Sequence, residues 1–539
     1  MKKVFVAKLS KSFKPNPNKL IVLSVVAVIV VLGGQSVATP PPPSHANVDV
    51  RVHFLDPSFD PNTVGGVPFC SSGSLGTILC YPPSFLKKAY DFPPTTGKKG
   101  LDGTGQTIVI VDAFGSPTVQ SDLNTFDTAF GIPATTVEIL CGPTWTGALT
   151  DDCPVKTIAD LTTAPNAALC GATGWANETT LDVTMSHALA PGAKIVLVVA
   201  NDCFDTSFNS AELAVVGQPG LRGSIMSQSF GEPDDLVGCL NFPCTQVDPT
   251  IKANADLGYT TATSNGWTII ASSGDWGANE AAPAVGTVEL TPAWPASNPL
   301  NLAAGGTQGQ PYGGQYGVPP GPSGTFSCPA NTNCNTGLVV INGGPNGCTT
   351  AARPGVPSSC TPVGYGGEAA WNEFNILGFG TTTGGGVSSL YGRPSYQAAL
   401  PSAFATLLGN TVQASGRLNP DVSFNSAVDG GVLAYLGFAV PPRWGVFGGT
   451  SAAAPAWAGI IALLNQANGA PVGFITPKIY DLNHGRLKHS FQDITVGNNS
   501  FTEGLLFGAD GFNASQGYDL TTGWGTPDVS WFIKNMAGK

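Results

Sequence analysis

Four apolar runs, each closing in a loop of small residues, set the rhythm of this 539-residue chain. They are "GQTIVIVDAFGS" (Gly105–Ser116), "AKIVLVVA" (Ala193–Ala200), "GSIMSQSF" (Gly223–Phe230) and "WTIIASSG" (Trp267–Gly274). Unbroken runs of this length, bounded by turn residues, predict buried β-strands. Between them "NETTLDVTMSHALA" and "TQVDPTIKANADLGYT" predict helices, and further on "SAAAPAWAGIIALLNQ" predicts a buried one. Strand and helix alternating at this spacing predict an α/β fold, a mostly parallel central sheet with helices on both faces. In such sheets the chemistry gathers at the carboxyl ends of the strands. From Gly309 to Gly367 the pattern gives way to Gly/Pro/Cys-rich sequence with little periodicity. That stretch predicts a disulfide-pinned surface insertion at about 309–367 rather than a separate domain.

The N-terminus changes the picture. Residues 1–38 hold six lysines, no acid, and the run "LIVLSVVAVIVVL" (Leu20–Leu32). Thirteen residues are short for a membrane span and suit a signal peptide cleaved after Ala38, with an uncleaved anchor as the alternative. Losing that segment takes the formal net charge from −11 to −17. So acidic a chain speaks against nucleic acid and anionic membranes as partners, beyond the anchor itself. Residues 39–100 open on "TPPPPSHANVDV" and predict an extended Pro-rich linker and a short lead-in, leaving 101–539 as the main domain. Twelve cysteines with no CxxC pair predict disulfides rather than zinc. Cys239–Cys244 and Cys348–Cys360 are natural neighbouring pairs, though spacing leaves the connectivity open.

The candidate chemistry starts at "FGGTSAAAPAWAG" (Phe447–Gly459), where a Gly-Gly turn delivers Ser451 to a predicted helix N-terminus. Backbone N–H groups and the helix dipole there favour an oxyanion. A serine hydroxyl needs a base, and the usual one is histidine. The five histidines are His45, His53, His187, His484 and His489, and none has a glycine-flanked setting resembling a subtilisin base. Carboxylates offer another base. Glu178 and Asp182 are four apart on a predicted helix and so share a face, where two close acids share a proton. Taken alone, that spacing more often marks a solvated acidic face. Asp275 ends the run "IIASSGDWG", where it is either an ordinary turn aspartate or a protonated acid able to donate to an oxyanion.

These segments together resemble the sedolisins, serine-carboxyl peptidases with a subtilisin-like fold. Further stretches agree in order: "CYPPSFLKKAYDFP", "HALAPGAKIVLV", "EAAWNE", "GGGVSSLYGRPSYQ", "LNPDVSFNS" and "FQDITVG". The resemblance implies a secreted endopeptidase working in acid. Ser451 would be its nucleophile, Glu178 the general base and acid, Asp182 the partner orienting Glu178, and Asp275 the oxyanion donor. Asp112, at the end of the first strand, is expected to support this network or to be structural. The resemblance also implies calcium held by Asp493, Ile494, Ser515, Gly517 and Asp519, with Ser515 standing where the family has glycine. Peptide or protein substrates are expected along two strand edges, Ser227, Gln228, Ser229, Phe230 and Gly231 on one side and Ser272, Ser273 and Gly274 on the other. The protein is expected to be a monomer. One departure is that only residues 39–100 intervene where the family has a long propeptide, so the propeptide is expected to be reduced, absent or supplied otherwise. Three alternatives stay open: a subtilisin-like peptidase using His187 and Asp112, tripeptidyl-peptidase specificity on the same site, and an inactive extracellular binding protein.

Overall fold

The computed structural model describes residues 51–61, 69–72, 76–98, 100–142, 148–237, 247–281, 290–309, 333–335, 338–342, 361–373, 381–481, 489–501 and 510–538. The apolar run at Leu20–Leu32, both expected cysteine pairs, His45, His484 and much of the 309–367 insertion lie outside these residues. The chain divides into two units, Met1–Pro40 and Pro41–Lys539, and the described residues all belong to the second.

In chain order the strands that frame the molecule begin with β1 (Arg51–Phe54), β2 (Phe69–Ser72), β3 (Gly76–Tyr81), β4 (Thr107–Ala113), β5 (Glu138–Cys141) and β6 (Lys194–Ala200). They continue with β7 (Ile225–Gln228), β8 (Thr268–Ser272), β9 (Leu302–Gly309), β10 (Glu368–Ala370), β11 (Val422–Asn425), β12 (Gly431–Leu436) and β13 (Arg443–Gly448). The principal helices are α1 (Pro83–Ala89), α2 (Val119–Phe130), α3 (Ala172–Leu189), α4 (Asp205–Val216), α5 (Pro249–Ser264) and α6 (Thr450–Asn468).

The central sheet runs β10-β9-β8-β7-β4-β6-β5, with β11 also paired to β9. Every pairing in it is parallel except β9 with β10. Parallel strands need crossovers, and the intervening helices cover both faces, so β4, β6, β7 and β8 are largely apolar and almost wholly buried, with polar residues gathered at their ends. The strand order reverses at β4, which has β6 on one side and β7 on the other. Such a reversal opens a crevice at the strands' carboxyl ends. Asp112 in β4, Ser229 after β7 and Asp275 after β8 stand at that end.

The stretch 39–100, read from sequence as linker and lead-in, contributes regular structure from Arg51 onward. β1 pairs antiparallel with β13, and β3 pairs parallel with β12, so a second, five-stranded sheet runs β1-β13-β12-β3-β2. Its strand β13 leads directly into the turn before Ser451. Three disulfides join described cysteines: Cys70–Cys80, Cys141–Cys153 and Cys170–Cys203. No helix among the described residues is long and apolar enough to cross a membrane.

Candidate active site

Two buried helices carry the site. α6 is almost uniformly small or apolar, and nearly all of it is covered. α3 is polar in sequence yet buried from Trp175 to its end, with Glu178, Thr179, Asp182, Ser186 and His187 each 0 % exposed. A polar helix in that position is unfavourable unless its groups find partners or change protonation state. The i, i+4 pair read as an ordinary solvated face on spacing alone is therefore sealed inside the protein.

The consequence is a coupled set of acids. Burial pushes the Glu178 carboxyl well above its ordinary range, and the charges of Asp182 and Asp112 push it further. The neighbouring Ser451 hydroxyl pulls it partly back, although neither Glu178 oxygen makes a hydrogen bond of regular geometry. Catalytic hydrogen bonds are often long in the absence of substrate. Asp182 is likewise raised by burial and then by Asp112, with the Ser229 hydroxyl opposing. Asp112, fully buried at the end of β4, is pushed up to about 7 by desolvation, with Thr179 offsetting part of the rise. Three carboxyls this close release their protons as a set rather than singly.

Asp275 reaches the same place from the other side. Its Oδ1 accepts from the Thr450 N–H at 2.8 Å and lies 2.8 Å from the Thr450 hydroxyl. Its Oδ2 lies over Gly449, 2.6 Å from where a Cβ would be built, and Gly449 has φ +98°. Only glycine meets both demands at that position. The Asp275 carboxyl is thus held at the turn before Ser451, against Gly449 and Thr450.

Some contributors escaped the sequence reading. Pro455 has no N–H to return to the Ser451 carbonyl four residues back, so that carbonyl is released from the helix ladder. The Ser229 hydroxyl takes up the vacancy, donating to it at 3.4 Å while also facing Asp182. A proline four residues after a candidate nucleophile was the available signal. Thr450 and Thr179 had no signal beyond adjacency to residues already singled out.

The expected substrate edges are both at the site, but their side chains differ. Ser227, Gln228 and Ser229 are buried, and the Gln228 amide donates to Glu212 and to the Tyr259 hydroxyl behind the sheet. Phe230 stacks on Phe208 with ring centroids 4.0 Å apart, and Gly231 lies against the Trp294 carbonyl. On the facing edge Ser272 is buried, Ser273 donates to the Gly384 carbonyl at 2.9 Å, and Gly274 N–H donates to the Thr450 hydroxyl at 3.1 Å. What these edges can offer an extended peptide is main chain and Gly231, not the side chains of Gln228 or Phe230.

His187 is turned away. It sits nine residues from Glu178 on α3, about 180° around the helix at 100° per residue. Its Nε2 lies 3.0 Å from the Pro133 carbonyl and 3.3 Å from Asp127 Oδ1. His53 is in β1, and His489 packs on Trp531.

Asp493 and Asp519 meet one loop. Asp493 Oδ2 accepts from Gly517 N–H at 3.0 Å, and Asp519 Oδ2 accepts from Ser515 N–H at 2.8 Å. Asp519 Oδ1 is held by the N–H groups of Thr521 and Thr522. Ile494 is buried beside Ala370 and Ala514. Among the described residues no three His, Cys, Asp or Glu side chains group as a metal cluster. A cation here would therefore depend on carbonyl oxygens beside the two carboxylates.

No family model matches the chain. Kumamolisin from Bacillus sp. (strain MN-32) is 29% identical over 450 residues, covering 83% of this chain and 62% of kumamolisin. Sedolisin from Pseudomonas sp. (strain 101) is 27% identical over 341 residues, 60% of this chain and 44% of sedolisin. The chain thus spans less than two thirds of either relative. Tripeptidyl-peptidase 1 of Dictyostelium discoideum is 32% identical over 190 residues, about a third of each protein. Among solved structures, Pseudomonas sedolisin, a serine-carboxyl proteinase complexed with two molecules of pseudo-iodotyrostatin, superposes with a TM-score of 0.56 at 22% identity. That match covers 85% of this chain and 98% of the solved one. By its homologues and its α/β architecture, the chain is a relative of the sedolisin family on a subtilisin-like fold.

Proposed function

We propose that the protein is a secreted serine-carboxyl endopeptidase active in acid. The Ser451 oxygen attacks a peptide carbonyl carbon while its proton passes to Glu178, and Asp182 orients Glu178 throughout. Charge collects on the carbonyl oxygen, which accepts from a protonated Asp275 and from the N-terminus of α6. Collapse of that intermediate breaks the C–N bond as Glu178 returns the proton to the leaving amine. Water then attacks the acyl-enzyme as Glu178 takes its proton, and the acyl C–O bond to Ser451 breaks as Glu178 returns that proton to the serine oxygen, releasing the acid product. Asp112 shares the charge of the Glu178–Asp182 pair from below.

One observation carries this reading: the Ser451 hydroxyl faces a buried carboxyl of Glu178 that two further acids keep from ionising easily. Among the described residues an imidazole base has no comparable support, because His187 is committed on the opposite face of α3. Asp275 supports it independently, since its carboxyl is held against Thr450 and Gly449 at the turn that delivers Ser451. Peptide and protein substrates would lie extended between 227–231 and 272–274. The test is hydrolysis of acid-unfolded serum albumin by the purified protein from about pH 3 to 6, a window centred on carboxyl titration. New peptides with a defined bond preference support the reading, and intact albumin across the whole window overturns it.

Calcium forms part of the proposal. The all-oxygen donor set of Asp493, Asp519 and the carbonyls of Ile494, Ser515 and Gly517 suits a hard cation, which would tie the 493–494 segment to the 515–519 loop. Its role would be structural, so removing it is expected to lower stability rather than chemistry. With calcium at about a hundred times its dissociation constant the gain is about 2.7 kcal/mol. Adding a chelator should then lower the thermal midpoint by a few degrees in the wild type and leave Asp493→Ala unmoved. An equal response in both proteins would remove calcium from this loop.

A further inference from the structure

We infer that Glu280 is a positioning residue for Asp275, an inference that rests on reading Asp275 as the oxyanion donor. Asp275 stands past the end of β8, where the parallel ladder has stopped, and its carboxyl needs to be held within about 0.5 Å to serve an oxyanion. Part of the turn is fixed by main chain. Gly384 N–H donates to the Gly274 carbonyl at 2.7 Å, Thr382 N–H to the Asp275 carbonyl at 3.1 Å, and Gly277 N–H to the Thr382 carbonyl at 2.9 Å. Gly274 N–H goes to the Thr450 hydroxyl. The other end of that Asp275–Trp276 peptide group, whose carbonyl Thr382 holds, is fixed by a side chain: Trp276 N–H donates to Glu280 Oε1 at 3.0 Å. Glu280 thus fixes the peptide plane through which the Asp275 side chain is aimed.

Packing supports the same role. The Glu280 carboxyl occupies the space that a side chain at Gly274 would need, with Oε1 only 2.0 Å from a Cβ built there. It also closes on Gly384, whose Cβ would come 2.8 Å from the same oxygen. Gly274 has φ +102°, so its backbone conformation and this close approach both exclude larger residues. Glu280 is in turn anchored by its own N–H on the Thr291 carbonyl at 3.0 Å and is only 7% exposed. A buried side chain that sets two glycines and one amide around a candidate catalytic acid is placed to act through geometry rather than by touching substrate.

The test compares wild type, Glu280→Ala, Glu280→Gln and Asp275→Ala on acid-unfolded serum albumin carrying quenched fluorophores, with kcat, KM and thermal midpoint measured for each. Withdrawing the acceptor is expected to lower kcat about 10- to 100-fold with KM within about twofold, the signature of a misplaced group rather than weakened binding. Glutamine retains the acceptor oxygen and should restore kcat to within about threefold. Wild-type kcat in Glu280→Ala, or equal loss in the alanine and glutamine variants, overturns the inference. Should Glu280→Ala fail to fold, Glu280→Asp retracts the acceptor by one methylene, and an unchanged kcat in that variant is equally decisive. If Asp275→Ala keeps wild-type kcat, the reading of Asp275 fails. If Asp275→Ala loses activity and the Glu280 variants do not, only the inference about Glu280 falls.

Discussion

Glu178→Gln and Ser451→Ala are each expected to lower kcat by about four to six orders of magnitude, whereas His187→Gln should leave kcat of the folded protein within about threefold. The scale is that of removing the nucleophile or base from a serine peptidase, where the members act as a unit and each loss is nearly total. Glutamine is the informative replacement at 178. It keeps the shape and a hydrogen-bonding oxygen beside Ser451 but cannot take a proton, so loss of activity isolates proton transfer from packing. His187 is the counter-test because a histidine-based mechanism on the same fold would demand it. Its Nε2 is already engaged by Pro133 and lies 3.3 Å from Asp127, and its replacement is expected to cost stability at that contact rather than turnover. Steady-state kinetics on acid-unfolded albumin, corrected for folded fraction by near-UV circular dichroism, separate these outcomes. Collapse of kcat in His187→Gln with activity retained in Glu178→Gln would reverse the assignment of the base.

The acid set also bears on where activity should fall. Burial and mutual repulsion raise Glu178 and Asp182, so the base form becomes scarce at the acid end of the assay range. A bell-shaped profile is expected: its acid limb reports the first proton lost by the Glu178–Asp182–Asp112 set, and its other limb the loss of a proton needed for donation.

Local pattern carried much of the framework. Strands β4, β6 and β8 are built on apolar runs with polar residues only near their ends, and burial on both faces is the physical reason such runs exist. The helices around Glu178 and Ser451 were visible as long segments bounded by turn residues, even with Pro455 and Gly459 inside the second. What the pattern could not carry was pairing between distant segments. "RVHF" looks like linker until β13, some four hundred residues later, supplies a partner edge. Cys170 finds Cys203 because α3 and the end of β6 are neighbours in space, a relation that spacing does not encode. The site divides along the same line. Ser451, Glu178, Asp182 and Asp275 carry reactive groups in suggestive settings, so chemistry drew attention to them. Glu280 is one more surface-type residue in "GANEAA", and its contact with Trp276 exists only once the turn after β8 has formed. Burial of a polar helix from Trp175 to its end was hidden for the opposite reason, because "NETTLDVTMSH" has the composition of an exposed one.

That concealed burial leads to an inverted pH dependence of stability. Away from the candidate metal loop, desolvation pushes four buried carboxyls well above the ordinary range: Asp112, Asp122 and Asp234 to about 7, and Glu212 to about 8. In the unfolded chain such groups titrate near 4. Between roughly pH 4 and 7–8 the native state holds protons that the unfolded state has released, so stability is full below about 4 and is lost as pH rises through the folded values. Each group changes stability by at most about 1.4 kcal/mol per pH unit, so four groups over three units set a ceiling near 16 kcal/mol, and local relaxation makes several kcal/mol the expected size. The opposing terms are weak: the aspartates held below their ordinary range, Asp56, Asp102, Asp152 and Asp160, are little buried and titrate below this window, leaving the half-buried His53, lowered by burial, as one opposing group inside it. The thermal midpoint is therefore expected to fall by about 5–10 °C or more between pH 4 and pH 8, measured by calorimetry at constant ionic strength. Glu212→Gln supplies the internal check. Its Oε1 partner Gln228 and the nearby Tyr259 can reorient around an amide, which carries no charge to desolvate, so this variant should be more stable than wild type at pH 8 and no more stable at pH 4. A midpoint that rises from pH 4 to 8, or a Glu212→Gln variant with the wild-type slope, would show that the buried acids ionise at little cost and that the interior around α3 and α4 is wetter than its packing indicates.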